Sequence, residues 1–516
     1  MEDYNAELTQ ILVKINKKNF KDAYEDLKQL IEISPQNYIA FNLLAQIEIK
    51  NENLNNAIFF LEKGLAVQPN SVDLLFNKAL VLKLNNQLEH AEIILKEILL
   101  IDKNIFQVYL NLASIQKKLN KLDDAIINYN LAIKINKNFF QAFFNLGNIY
   151  LFKKNLDLAI ENYDFSLKLN PNHEKSIINL AQCYYYKKNF NKACELFDRV
   201  LNLNPNNSLA KYNKSLSNFK LKNFKEGWAL YENRWNIEDS KFVPFKSLKA
   251  KYNKESVNKN LYIWPEQGLG DEIMFSSIFN EFKNSKNKVY ASCDNRLLDI
   301  FKISFPHINF FSNDLSIDHD IFDHHISSGS LFKFYRNELG DFKNAPYLFP
   351  VINKNIEKKI IDINKNRKQV IGLSWKSNNQ DYGHFRSVQL KNIFDKINFK
   401  DNTIINLQYG DVINEIKEIE EAYGYKILTL SDNFNNINDL SCIINLCDYV
   451  ISIDNSTVHL SGALGKKTHL LLPFYSDWRW LENSKKTYWY NNVEVYQQTN
   501  KMSWIDVLEE LNSNIK

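Results

Sequence analysis

A glycine turn followed by an acid stands at Gly268-Leu269-Gly270-Asp271, within "WPEQGLGDEIMFSSIF" from Trp264. Glycines permit a tight turn and close backbone approach by a ligand. Asp271 falls where a helix begins. A carboxylate there either caps the helix or takes a proton from an acceptor hydroxyl as general base. A second loop, "DNSTVHLSGALG", opens with four cap-type residues, Asp454, Asn455, Ser456 and Thr457. A helix starting near Val458 and stopping at Gly465 would aim free N–H groups and its positive dipole end at an anion such as a diphosphate. His459 lies in its first turn, either as a structural ring or as a ligand of that anion. A third loop, "KSNNQDYGHFRSVQL", carries Lys376 and Arg386, cations able to neutralise phosphate charge. Lys376 also reads as part of a solvated loop.

Each loop needs an element to hold it. "NLYIW", "YVISI" and "QVIGLSW" precede the three loops in turn, and "KVYAS", "TIINLQ", "KILTL" and "THLLLP" are further β-rich runs. Helix-length amphipathic stretches separate most of them, which predicts βαβ units and parallel sheets. The runs fall into two blocks, 259–352 and 353–516, with the charged segment Asn353 to Arg367 bridging them. Two doubly wound domains facing each other leave a cleft at the carboxyl ends of their strands.

Residues 1–235 are built differently. Ala23, Ala57, Ala91, Ala125, Ala159 and Ala193 recur every 34 residues, as do Ala45, Ala79, Ala113, Gly147 and Ala181. Small residues at that period let two helices of a hairpin approach, and tandem hairpins bury each other's apolar faces in a superhelix. This resembles the tetratricopeptide repeat, with a weaker last unit running from Ser215 through Gly227 into "FKEGWALYENRW". Phe143, Tyr150, Tyr163, Tyr184 and Phe197 fill between helices, or line a concave groove for a peptide or partner. Residues 236–258, lysine-rich and weakly periodic, read as a linker.

The net charge of +4, from 64 basic and 60 acidic residues, gives no footprint for nucleic acid. Five cysteines without metal-ligand spacing suit a reduced, cytoplasmic compartment. "MEDYNAELTQ" is polar and acidic, unlike a signal peptide, and no apolar run approaches the roughly 18 residues of a membrane span.

"EQGLGD", "GLSWKSN…RSVQL", "VISIDNSTVHLSGALGK" and "LLPFYSDWRWLENSKKTYWY" occur in that order. Together with the repeats they resemble bacterial proteins that join tetratricopeptide repeats to a heptosyltransferase-like domain of glycosyltransferase family 9. The resemblance implies an α-solenoid followed by a GT-B-like pair of Rossmann-like α/β domains, 259–352 on the acceptor side and 353–516 binding the nucleotide sugar. It also implies sugar transfer from a nucleotide-sugar donor, itself a substrate, with no cofactor or required metal. Asp271 matches the family's candidate base. Asp454, Asn455, Ser456 and His459 match its donor loop, and Arg386 its phosphate contact. Asn455-Ser456 replaces the family's Thr-Gly or Thr-Ala pair. "DHHISSGSLF", from Asp323 with His324 and His325, matches a segment facing the cleft. With His319 these histidines fit no standard metal spacing. The resulting expectation is an inverting glycosyltransferase whose repeats recruit a protein or glycan acceptor. The alternatives are a repeat scaffold with a degenerate transferase-like domain, and an enzyme on the same fold that isomerises or hydrolyses a nucleotide sugar.

Overall fold

In a computed structural model, the protein is described over residues 2–238, 240, 242–365, 368–379, 383–433, 435–499 and 503–515. Gln380 to Tyr382 of the third loop, Arg367 of the bridging segment, and Asp239 and Lys241 of the expected linker lie outside the described residues. The chain forms two compact units, Met1–Lys187 and Lys188–Lys516.

The first unit is a run of paired helices, from Glu2–Asn16 to Glu174–Tyr186. The periodic alanines explain the pairing. Ala23, Ala57, Ala91, Ala125 and Ala159 are fully buried. Gly147 stands where the other units have alanine because the Tyr163 ring fills its space; an added Cβ would sit 2.8 Å from Tyr163 Cε1. The turns inside the hairpins keep the same period. Lys18, Glu52, Asn86, Asn120 and Lys154 each hold a left-handed backbone, with φ between 55° and 63°.

The second unit begins with helices Phe190–Leu203, Ser208–Lys220 and Phe224–Tyr231. These belong to the last repeats, yet their apolar residues continue into the α/β core. Phe219 packs on Trp478 at 4.7 Å between ring centroids, and Trp228 on Phe332 at 5.0 Å. The repeat helices thus run to Tyr231, while the compact units divide after Lys187, because the final repeat shares a core with the α/β region.

Two all-parallel sheets complete the unit. The first contains β1 (Ala250–Lys251), β2 (Asn260–Trp264), β3 (Lys288–Cys293), β4 (Ile308–Ser312) and β5 (His324–Ser327), in the order β1-β5-β2-β3-β4. The second contains β6 (Val370–Ser374), β7 (Thr403–Asn406), β8 (Ile427–Leu428), β9 (Tyr449–Ile453), β10 (Thr468–Leu472) and β11 (Val493–Gln497), in the order β11-β10-β9-β6-β7-β8. Strands β6, β9 and β10 are buried at every position, as strands covered on both faces must be. The expected linker is partly structural. β1 pairs with β5, and Phe245 covers Tyr262 of β2 at 5.1 Å, because that sheet face has aromatic side chains to bury. Among the described residues, no helix is long and apolar enough to cross a membrane.

Candidate functional site

The site forms where the chain leaves β2. Glu266 is buried and accepts from Arg234 Nε at 2.8 Å, Arg234 Nη2 at 2.9 Å and the Gly329 amide at 2.7 Å. Gln267 takes a left-handed backbone (φ 65°), and Gly268 caps the helix Leu269–Phe275. The helix thus starts two residues before Asp271. It gives way to a tighter 3₁₀ turn at Ser276–Phe282 instead of continuing. Asp271 lies in the first turn of the helix and is not its N-cap.

A five-member charged chain includes Asp271. Its Oδ1 accepts from Arg479 Nε at 2.8 Å and from Arg479 Nη2. Arg479 Nη1 donates to Asp477 Oδ1 at 2.5 Å, and Nη2 to Gln267 Oε1 at 3.0 Å. Arg386 lies across Asp477, with Nη2 3.6 Å from its Oδ2 and Nη1 3.3 Å from Asp454 Oδ2. Asp454 Oδ1 also accepts from Trp480 Nε1 at 2.9 Å. Burial pushes the Asp271 carboxyl above its ordinary range, against the pull of Arg479. At Asp477 burial pushes the same way, but Arg479 and Arg386 outweigh it and hold that carboxyl low. The arrangement keeps one carboxylate basic and two guanidiniums charged at the facing carboxyl ends of the sheets.

The residues of the expected donor loop divide. The helix after β9 is Ser456–Ala463, starting before the expected Val458, with Asn455 as N-cap. Asn455 is spent on packing: it accepts from the Thr457 amide at 3.0 Å and donates to Ser374 Oγ at 2.8 Å. Thr457 is buried, and Ser456 is half-buried at the helix start. His459 is buried, with Nδ1 2.9 Å from the Tyr490 hydroxyl, and stacks on Trp480 at 5.4 Å. Burial lowers its pKa to about 4, so at neutral pH it brings no charge to an anion. Gly270 faces this ring; an added Cβ would lie 3.1 Å from His459 Cδ2 and 3.5 Å from Ser456 Cα. Its missing side chain lets two helices meet rather than a ligand approach. Gly268 has open space beside it. Lys376 is exposed and borders a cavity of about 620 Å³, lined also by Trp375, Phe385, Gln389, Glu415 and Trp504.

Asp323, His324 and His325 lie elsewhere. They sit at the start of β5, where His324 pairs with Leu261, whereas the chain leaves for Asp271 past Trp264, opposite Ser327. In parallel strands that is the opposite end from the cleft, which corrects the expectation that Asp323, His324 and His325 face it as possible acceptor-side residues. Asp323 Oδ2 accepts from the Asn260 amide at 2.8 Å, and His325 packs on Phe245 at 5.4 Å. Among the described residues, no group of three or more His, Cys, Asp or Glu side chains is gathered to hold a metal ion.

Arg479 and Asp477 carry the geometry but were given no role by sequence; the signal was their place in "YSDWRW", where the two charges flank Trp478. Glu272, next to Asp271, was also missed. It is buried, its Oε2 accepts from the Asp294 amide at 2.9 Å, and burial raises its pKa to about 8. The folded state therefore keeps a proton that the unfolded state loses near pH 4.5, so stability falls as pH rises from 4.5 to about 8 and levels off above it. Glu272→Gln should remove that decline. Relative to the parent it is expected to gain roughly 2–4 kcal/mol between pH 5 and pH 9, read from urea midpoints. Equal pH profiles would show that Glu272 ionises normally.

The matching family models lie in the helical part. A family model described as "TPR repeat" matches residues 113–152, and one described as "Tetratricopeptide repeat" matches 38–71. A model of subunit 3 of the anaphase-promoting complex, or cyclosome, matches 152–233. Protein FlbA of Caulobacter vibrioides is 23% identical over 292 residues, which cover 51% of this chain. The chain matches about half of that curated relative, 48% of its length. Among solved structures, YrrB, described as a TPR protein with an unusual peptide-binding site, is 21% identical with a TM-score of 0.33, over 36% of this chain and 97% of its own. PilF of Pseudomonas aeruginosa is 17% identical with a TM-score of 0.37, over 41% and 96%. A tetratricopeptide repeat protein of Parabacteroides merdae is 13% identical with a TM-score of 0.39, over 47% and 95%. The N-terminal part of this protein is a solenoid of tetratricopeptide repeats, followed by an α/β region of two parallel sheets.

Proposed function

We propose that this protein is a glycosyltransferase that moves a sugar from a nucleotide-sugar donor to an acceptor hydroxyl, with the repeats recruiting a protein or glycan acceptor or a partner. The supporting observation is the Asp271–Arg479–Asp477–Arg386 chain at the facing carboxyl ends of the two sheets. Asp271, its carboxyl raised by burial, takes the proton from the attacking hydroxyl. Arg386 and Arg479 neutralise the charge that develops on the departing diphosphate. The N-terminus of Ser456–Ala463 adds backbone donors at its one half-buried position, Ser456.

A second reading has its own observation. Asp271 Oδ1 is already engaged by Arg479, and Asn455 and Gly270 are filled by packing. This favours a repeat scaffold whose transferase-like region has lost turnover.

Calorimetry with nucleoside diphosphates decides between them. The enzyme should bind one, and Arg386→Ala should weaken binding by roughly 1.5–3 kcal/mol, the range for hydrogen bonds to charged groups. Equal affinity in both proteins removes Arg386 from the donor site. If the parent binds no diphosphate, the scaffold reading stands.

A further inference from the structure

Lys220 closes the helix Ser208–Lys220, and its side chain is 1% exposed. Its ammonium donates to Ser476 Oγ at 2.8 Å, to the Trp480 carbonyl at 2.9 Å and to Glu482 Oε1 at 2.8 Å. A buried ammonium needs an acceptor for each of its three protons, and here every acceptor lies on one segment, 474–482. That segment follows β10 and carries Asp477, Arg479 and Trp480. Lys188 takes the other oxygen of Glu482 at 2.7 Å. A chain segment leaving a strand is ordinarily the mobile part of an α/β domain. This one is tied to a helix end from outside its own sheet.

The same stretch of chain makes a matching tie on the other side. Arg234, just past the helix Phe224–Tyr231, is fully buried and grips Glu266 with two nitrogens, holding the loop that leads to Asp271. One repeat therefore fixes both loops whose side chains meet as Asp271 and Arg479. Two-lobed α/β proteins commonly close on ligands about a hinge. A brace across both strand-exit loops sets their register before any ligand arrives.

We infer that the last helical repeat is a built-in part of the site and that Lys220 is a positioning residue for Arg479 and Asp477. This rests on the reading of Arg479 and Arg386 as a diphosphate subsite.

The test uses the full-length protein. Lys220→Met keeps the aliphatic stem and removes the ammonium; Glu482→Gln weakens the same tie from the other end. Affinities for uridine, adenosine and guanosine diphosphates are measured by calorimetry, and amide hydrogen exchange is followed over 474–482. Each single variant should lose affinity by about 10–100-fold, the cost of removing a partner that orients a ligand-binding group. The double variant should lose clearly less than the sum of the two singles, since both remove the shared Lys220–Glu482 contact. Exchange in 474–482 should quicken. Arg336→Met, which breaks an equally buried pair with Glu281 (2.9 Å) in the first α/β half, should change neither readout. Unchanged exchange and affinity in Lys220→Met overturn the inference. So do additive losses in the double variant, which would mark a general loss of stability. Quickened exchange in a protein whose parent binds no diphosphate upholds the hold of Lys220 on the loop and removes the diphosphate reading instead.

Discussion

Asp271→Asn is expected to lower the proposed sugar transfer by about 10²–10⁴, the usual contribution of a general base. The substitution keeps shape and removes basicity. Arg479 is not orphaned by it, because Asp477 Oδ1 and Gln267 Oε1 still accept from the same guanidinium. Stability should therefore fall by no more than about 2 kcal/mol, and diphosphate affinity should hold. The parent should also show an acid limb in its rate profile. Burial raises the Asp271 carboxyl, so the base ionises above the ordinary carboxylate range and activity climbs with pH through that point. The limb should vanish in the Asn variant. Rates measured on the donor identified by calorimetry decide the matter. A variant that keeps its turnover and loses stability would make the Asp271–Arg479 pair a latch between the two sheets' loops.

Arg234→Met is expected to cost about 3–5 kcal/mol of folding stability, the penalty for breaking a buried ion pair. The guanidinium is fully buried between the rings of Tyr231 and Trp235, at 4.2 and 4.0 Å. Besides Glu266 it donates to the Tyr231 carbonyl at 2.9 Å and to Ser330 Oγ at 2.9 Å. Methionine fills the space but strands the Glu266 carboxylate, itself only 2% exposed. Adding Glu266→Gln should recover part of the loss, since a neutral amide can still accept from the Gly329 amide. Urea unfolding of the three proteins is the measurement. A single-variant cost below about 1 kcal/mol would mean that water reaches Glu266 and that the tie does not hold the loop.

Some of this was written locally in the chain. The repeats depend on contacts between helices adjacent in sequence, so a 34-residue period of small residues was enough to place them. Strands such as β2, β6, β9 and β10 announce themselves as apolar runs because both of their faces are covered. β5 ("HHIS") and β11 ("VEVYQ") do not, since polar side chains interrupt them. Asp271 and Arg386 were legible as charged residues in the segments that follow strands. What Asp271 meets was not: Arg479 lies 208 positions away, and only the approach of the two sheets' loops brings them together. Gly270 read as room for a ligand until the fold filled that room with His459 and Ser456. The histidines at 324 and 325 were expected at the cleft only because their segment resembles one that faces it; parallel pairing with β2 put them at the far end of the strands. Composition and period determined the kinds of element. The pairing of charges from Lys220, Arg234, Glu266, Arg479 and Asp477 was decided by tertiary structure alone, because a buried ion is tolerated only where distant segments converge to satisfy it.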